Sequence, residues 1–368
     1  MRLMSFLLIF AGLGTAFASE PHDGHLFDQG HAMTSRSERA DPALDHMKRL
    51  LGQWKVNVTR VAGDKTNTAT GRAEISYMNR GYAYQEHRQV DSYDEAGNAE
   101  NALGFLVYDP SGKQWGLGEG SSYDETIRIF NGDATPDGLL LRTASRRLGG
   151  MNITRERLRY RIESDDVFTV SVEHSSDASD EWKTIETRRY TRRPSRAGIA
   201  MPTGKDYGKP NTDRAKQSTE FDFLIGEWTA NHQIKLQGNW IKFPASTTAV
   251  YVMDGYAILE HGWNDLDKNL TDAATSILRL YNRAERRWES LYLTNRRNSL
   301  LHFGGNQEGD EIVLHSFATH RNDPLQHYVF HDIKPDSYAW YGETSTDRGA
   351  SFSKFWIIDI QRKPAGPE

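Results

Sequence analysis

The 368-residue chain contains no cysteine. That absence excludes disulfide staples, thiolate metal sites, a thiol nucleophile and a lipid-modified amino-terminal cysteine, so the fold must be held by its cores and hydrogen bonds. Apart from one run near the start there is no long apolar stretch, so the mature protein is expected to have no membrane span. A dominant charge is lacking too: 45 basic and 50 acidic residues are interspersed and leave a net charge of −5, which offers no phosphate-tracking surface and argues against nucleic acid as a partner. Nucleophile elbow, phosphate loop, dinucleotide fingerprint and HExxH are all missing. The glycines of Gly116-Leu117-Gly118-Glu119-Gly120 fall inside an expected hairpin and not between a strand and a helix, the wrong context for a phosphate.

What the sequence does have is one module written twice. Gly81-Tyr82-Ala83-Tyr84-Gln85-Glu86-His87 recurs 174 positions later as Gly255-Tyr256-Ala257-Ile258-Leu259-Glu260-His261. Gly52-Gln53-Trp54 is answered by Gly226-Glu227-Trp228, Tyr108 and Trp115 by Tyr281 and Trp288, and Arg192-Arg193-Pro194 by Arg362-Lys363-Pro364. Residues 1–19 read as a signal peptide, with Arg2 before an apolar run to Phe17 and small residues Ala16 and Ala18 ahead of the cut. The expected product is exported, periplasmic or extracellular. Residues 20–43 are a flexible amino terminus whose His22, Asp23, His25, Asp28 and His31 are read as a polar tract. The first barrel is expected over 44–194, a linker over 195–220 and the second barrel over 221–364.

Within each module the pattern is that of short strands. A helix over Pro42 to Leu51, capped by Asp41, leads into alternating Trp54-Lys55-Val56-Asn57-Val58, and strands then follow at short intervals, separated by turns such as Asp109-Pro110-Ser111-Gly112. No long helical period intervenes. The fold class is all-β, two tandem antiparallel barrels joined by a linker, with closure removing the sheet edges.

Together, Gly-x-Trp opening the first strand, a Gly-Tyr strand carrying Glu some thirty residues on, Tyr and Trp around a hairpin, and a closing Arg resemble the lipocalin-like domain-of-unknown-function 1579 group. The likeness covers Leu50 to Pro194 and Leu224 to Pro364. It implies a calycin-like barrel with an internal cavity and no established activity. The resemblance also implies that Trp54 packs on Arg192, and Trp228 on Arg362, as structural pairs.

Alternation along a strand puts Tyr82, Tyr84 and Glu86 on one face, and Tyr256, Ile258 and Glu260 on the corresponding one. These are expected to line the cavities, with Glu86 and Glu260 pointing inward. Glu173 and Glu343 form a second repeated acid pair. Tyr82, Tyr84, Glu86, Glu173, Tyr256, Glu260 and Glu343 are the candidate ligand contacts, and Glu260, Glu343 and His261 the candidate acid/base groups. His315, His327 and His331 are weak candidates for a metal or haem site in the second barrel. No cofactor is required by the sequence. The expected function is binding of a small, partly apolar ligand; the alternatives are a hydrolase, lyase or isomerase, and a structural envelope protein with filled barrels.

Overall fold

The computed structural model describes residues 35–92, 99–143, 147–149, 152–176, 181–194, 199, 201–202, 206–264, 274–295, 298–317 and 324–364. The signal segment, the His22 to His31 tract and His320 lie outside them. The strands of the first half are β1 (Gly52–Ala62), β2 (Lys65–Met78), β3 (Ala83–Val90), β4 (Glu100–Asp109), β5 (Gln114–Ser121), β6 (Thr126–Thr135), β7 (Gly138–Thr143), β8 (Arg147–Gly149), β9 (Asn152–Ser164), β10 (Val167–Ser176) and β11 (Lys183–Arg192). Those of the second half are β12 (Gly226–Leu236), β13 (Asn239–Val252), β14 (Ala257–Asn264), β15 (Ala274–Asn282), β16 (Arg287–Thr294), β17 (Ser299–Glu308), β18 (Glu311–Ser316), β19 (Leu325–His331), β20 (Ser337–Ser345) and β21 (Ser353–Arg362).

Each half is an antiparallel meander closed on itself. In the first, β1 pairs with β11 and β10 with β9, so ten strands form the ring and the short β8 hangs from β9. In the second, β12 to β21 close through β12 and β21. The closing registers match, Trp54 facing Arg192 and Trp228 facing Arg362. The arginine carbon lies 4.2 Å and 4.0 Å from the respective indole centroid, and each guanidinium donates to the carbonyl before the Gly-x-Trp, Leu51 O at 2.8 Å and Ile225 O at 2.7 Å. An indole face and a fork of fixed donors seal the same end of both barrels.

A helical segment plugs that end of the first barrel. Pro42–Leu50 is a 3-10 helix, with Asp41 accepting from Ala43 N at 2.8 Å, and it buries Leu44, Met47 and Leu50 beneath Trp54 and Tyr84. Phe221 and Leu224 do the same for the second.

The repeated glycine marks a device in the backbone. Asn79, Arg80 and Gly81 have φ of 46°, 58° and 83°, and Met253, Asp254 and Gly255 have 56°, 54° and 82°. Three successive left-handed residues reverse the chain in a way L side chains resist. At Gly81 a Cβ would lie 2.5 Å from Ser37 N, and at Gly255 2.3 Å from Asn211 N, because a strap of chain crosses each turn and donates to its carbonyl. Only glycine admits the strap. The second repeat therefore begins upstream of residue 221, inside the segment read as linker.

The two barrels meet through a third hydrophobic core. Leu103, Phe105, Val107 and Ile127 on the outside of the first pack with Val250, Leu259, Leu278 and Leu291 on the outside of the second. The contact is nearly self-complementary. The left-handed turn of the first barrel sits on β15 and that of the second on β4, while β6 meets β15 as β17 meets β4. Such exchange of equivalent patches is the geometry of an isologous dimer, here within one chain.

Candidate functional site

Inward-facing side chains alternate along every strand, and equivalent rows can be compared by register. In the first barrel the row above the aromatic floor is charged. Arg88, fully buried, donates to Glu119 at 3.1 Å, Glu86 at 3.1 Å and Glu100 at 3.4 Å. Arg188 reaches Glu119 at 3.0 Å and Glu186, and Arg128 bridges Glu119 and Glu156 at 3.2 Å and 3.1 Å. Burial alone would raise the Glu119 and Glu186 carboxyls, but the arginines win: Glu119 is held far below the ordinary carboxylate range, and Glu186, beside Arg188 and Arg60, is pulled down to about 2. Desolvated ions persist only when surrounded by partners in this way. The lattice fills the first barrel.

The second barrel keeps the backbone and removes the lattice. Arg88 faces Ala73 as Gly262 faces Thr247; Glu119 faces Arg128 as Tyr292 faces Leu301; Arg188 faces Val58 as Ile358 faces His232; Glu186 faces Arg60 as Trp356 faces Ile234. Rings now touch in sequence around the wall: Tyr292 and Phe303 (centroids 6.2 Å apart), Phe303 and Tyr328 (4.4 Å), Tyr328 and Trp340 (5.8 Å), Trp340 and Trp356 (5.6 Å), Trp356 and His232 (5.5 Å), His232 and Phe243 (4.9 Å). Glu119 and Arg188 are 3% and 2% exposed, whereas Tyr292, Leu301, Trp340, Phe355 and Ile358 are only partly buried although they face inward. Solvent reaches the inner face of the second barrel. Opposite the rings the wall is small: a Cβ at Gly262 would meet Thr275 Oγ1 at 2.7 Å and Thr247 Cγ2 at 3.3 Å. This inner wall, the cup, is aromatic on one side and narrow and hydroxyl-lined on the other.

Polar groups in the cup are few. Glu260 accepts from Arg279 Nη1 at 2.6 Å, with Arg279 also over the rings of Phe221 and Phe330. His232 Nδ1 accepts from Trp356 Nε1 at 3.0 Å, and burial depresses its pKa to about 4. Its Nε2, Arg279 Nε, Thr247 Oγ1 and Ser290 Oγ are buried without a hydrogen-bond partner among the described residues. A buried unpaired group costs about 1–3 kcal/mol, so these atoms on the inner face call for a partner beyond the described residues.

The residues singled out from sequence fall into three places. Tyr84, Glu86 and Glu260 point inward: Tyr84 donates to Leu44 O at 2.6 Å, Glu86 accepts from Tyr190 at 2.6 Å inside the lattice, and Glu260 lies in the cup. Tyr82 and Tyr256 precede their strands with helical backbone angles, so the alternation that would align them with Tyr84 and Ile258 does not start until after them, and Tyr256 packs on the inter-barrel core. His261 is on the outer face of its strand at the seam, where Ser276 joins it (Nδ1 to Oγ 2.7 Å) to Asn79 of the first barrel (2.5 Å). Glu173 and Glu343 alternate with the inward side chains of their strands and face outward, Glu173 against Arg157 and Glu343 against His327 at 3.2 Å. His315 stands beside His327 with ring centroids 4.6 Å apart, and His331 faces Tyr341 and Asp332. Among the described residues, no three histidine or carboxylate side chains are placed to hold a metal.

Sequence reasoning missed the ring of Tyr292, Tyr328, Trp340 and Trp356, and His232 within it. The signal was present in the aligned copies as the loss of Arg88, Glu119, Arg128, Glu186 and Arg188 at equivalent positions. Without register those changes look like ordinary surface variation.

No family model and no curated protein matches the chain. Among solved structures it aligns with an S-type phycobiliprotein lyase from Guillardia theta (TM-score 0.29, 15% identity, 40% of this chain and 93% of that one). It also aligns with a protein of unknown function from the DUF3598 family of Nostoc punctiforme (TM-score 0.25, 10% identity, 88% and 100%) and a putative AttH from Nitrosomonas europaea (TM-score 0.15, 8% identity, 89% and 98%). At scores this low neither fold nor function passes from those proteins to this chain. The two closed barrels are established by the strand pairing itself.

Proposed function

We propose that this chain is a carrier that holds a small, partly apolar molecule in the cup of its second barrel, while the first barrel braces it. The observation that carries this is the exchange of a buried charge lattice for a partly exposed aromatic ring on the same backbone. Sites for small molecules combine apolar walls with a few placed polar groups, as here. Acid/base catalysis by paired cavity carboxylates finds less support, since Glu173 and Glu343 stand on outer faces. A filled structural barrel describes the first copy but not the second. Membership of the domain-of-unknown-function 1579 group and export with loss of residues 1–19 belong to the same proposal; the repeated Gly-x-Trp, Gly-Tyr and closing Arg support the first, and the Arg2-to-Ala18 segment the second.

The test is titration with the neutral fluorophore N-phenyl-1-naphthylamine, comparing the wild type with Gly262→Arg. The substitution copies Arg88 into the cup, where its guanidinium would share Glu260 with Arg279. Saturable enhancement that weakens by about tenfold or more in the variant is expected, as for a blocked pocket. Absence of binding, or equal binding in both proteins, would refute the proposal. The intact mass of the purified protein tells where the mature chain begins.

A further inference from the structure

The unpaired atoms of the cup are not a random set. Indole nitrogen only donates, so the bond from Trp356 Nε1 to His232 Nδ1 makes Nδ1 an acceptor and puts the proton of the neutral imidazole on Nε2. His232 Nε2 and Arg279 Nε are therefore obligatory donors without acceptors, and the hydroxyls of Thr247 and Ser290 can each donate as well. These groups share the inner face with the rings: Ser290 lies between Arg279 and Phe303, Thr247 opposite Gly262, and His232 between Phe243 and Ile358. Among the described residues, two of the four buried unpaired atoms on that face can only donate, and the two hydroxyls can donate or accept. The two nitrogens require an acceptor, and either hydroxyl can serve the same one.

Charge narrows the choice. The guanidinium of Arg279 is matched by Glu260 at 2.6 Å, and His232 stays neutral, so among the described residues the cup has no spare cation. A carboxylate brought here would be desolvated without a counter-charge, whereas a carbonyl would receive the donors at little desolvation penalty. Shape narrows it further. The wall is aromatic from β16 round to β13 and narrow at Thr247, Gly262 and Thr275, which suits a flat ring stacked on one side and passed closely on the other.

We infer that the second barrel takes a neutral, planar aromatic molecule bearing a hydrogen-bond acceptor, such as an aryl ketone, quinone or ester, and discriminates against the corresponding carboxylate. This rests on the carrier proposal and goes on to name its ligand class. Three naphthalenes of nearly equal size separate the two: 6-propionyl-2-dimethylaminonaphthalene, 6-dimethylamino-2-naphthoate and the unsubstituted 2-dimethylaminonaphthalene, each titrated by fluorescence at pH 7.5.

The ketone is expected to bind at least about tenfold tighter than the carboxylate, since a site built from donors gains from an acceptor and loses on an unpaired charge. In His232→Phe the ratio of ketone to unsubstituted-naphthalene affinity should fall several-fold, whatever the change common to both ligands. Ser290→Ala, a smaller change with little risk to folding, should lower the ketone's advantage in the same direction. A carboxylate that binds as well as the ketone, or a ketone advantage unchanged in both variants, would overturn the inference while leaving the carrier proposal standing. Failure of all three naphthalenes to bind would remove both.

Discussion

Above the tryptophan floor the first barrel sets Arg88, Arg128 and Arg188 against Glu86, Glu100, Glu119, Glu156 and Glu186, whereas the second sets Gly262, Leu301 and Ile358 beside Tyr292, Trp340 and Trp356. Below that row the barrels agree closely: the same Trp–Arg seal, the same left-handed turn, the same strap across its glycine. Backbone geometry depends on a few positions where only one residue type fits, and these are the positions the copies share. The interior above them is constrained only by volume and by satisfied polarity, and two different fillings meet that constraint. A duplicated barrel can therefore be solid in one copy and open in the other without change of fold. Their near-symmetric seam keeps the open copy attached to a rigid one.

The contrast can be broken most sharply at Arg88. Arg88→Met leaves Glu86, Glu100 and Glu119 buried with fewer counter-charges, and loss of one partner of a buried network is expected to destabilise by about 3–5 kcal/mol in urea unfolding. The reverse graft, Gly262→Arg, sets a Cβ 2.7 Å from Thr275 Oγ1 and brings a guanidinium to a carboxylate already held by Arg279, and is expected to destabilise by about 1–3 kcal/mol.

Acid should distinguish the barrels next. Burial holds His232 and His261 of the second barrel, and His87 of the first, at about 4, below the ordinary 6.5. Between those values the unfolded chain binds protons that the native state does not, so stability falls as pH drops from about 6.5 to about 4, by about 3 kcal/mol for each histidine. The Glu186 carboxylate, lowered to about 2, contributes stability above the ordinary 4.5 that is lost as pH falls from there towards 2. Urea midpoints at successive pH values should show a first decline that His261→Asn reduces and a second, at lower pH, that belongs to the lattice. A flat profile between pH 6.5 and 4 would contradict the burial of these imidazoles.

The smallest effect sharpens the comparison from the side of likeness. Lys113 and Arg286 occupy the same hairpin position with φ of 52° and 53°. A left-handed side chain costs about 1–2 kcal/mol and glycine returns part of that as lost entropy, so Lys113→Gly and Arg286→Gly should each stabilise by up to about 1 kcal/mol, and by equal amounts. Unequal gains in thermal melts would show that the shared backbone is not equally strained.

While the closing Trp–Arg pairs were implied by the family resemblance, the sequence by itself determined the duplication, the β class and the inward course of Tyr84, Glu86 and Glu260. These follow from identities repeated at a fixed offset and from the two-residue period of a strand, both of which are local. Tertiary structure alone decided which copy is open. Glu173 and Glu343 look like cavity acids until the inward course of Val172 and Trp340 on the same strands puts them outside, and Tyr256 looks like its strand neighbours until the left-handed triplet delays the strand. The cup itself is assembled from β12 to β17 and β19 to β21, residues up to 124 apart in the chain for the bond that ties Trp356 to His232. Contacts across a closed barrel depend on register and shear, which no short stretch of sequence contains.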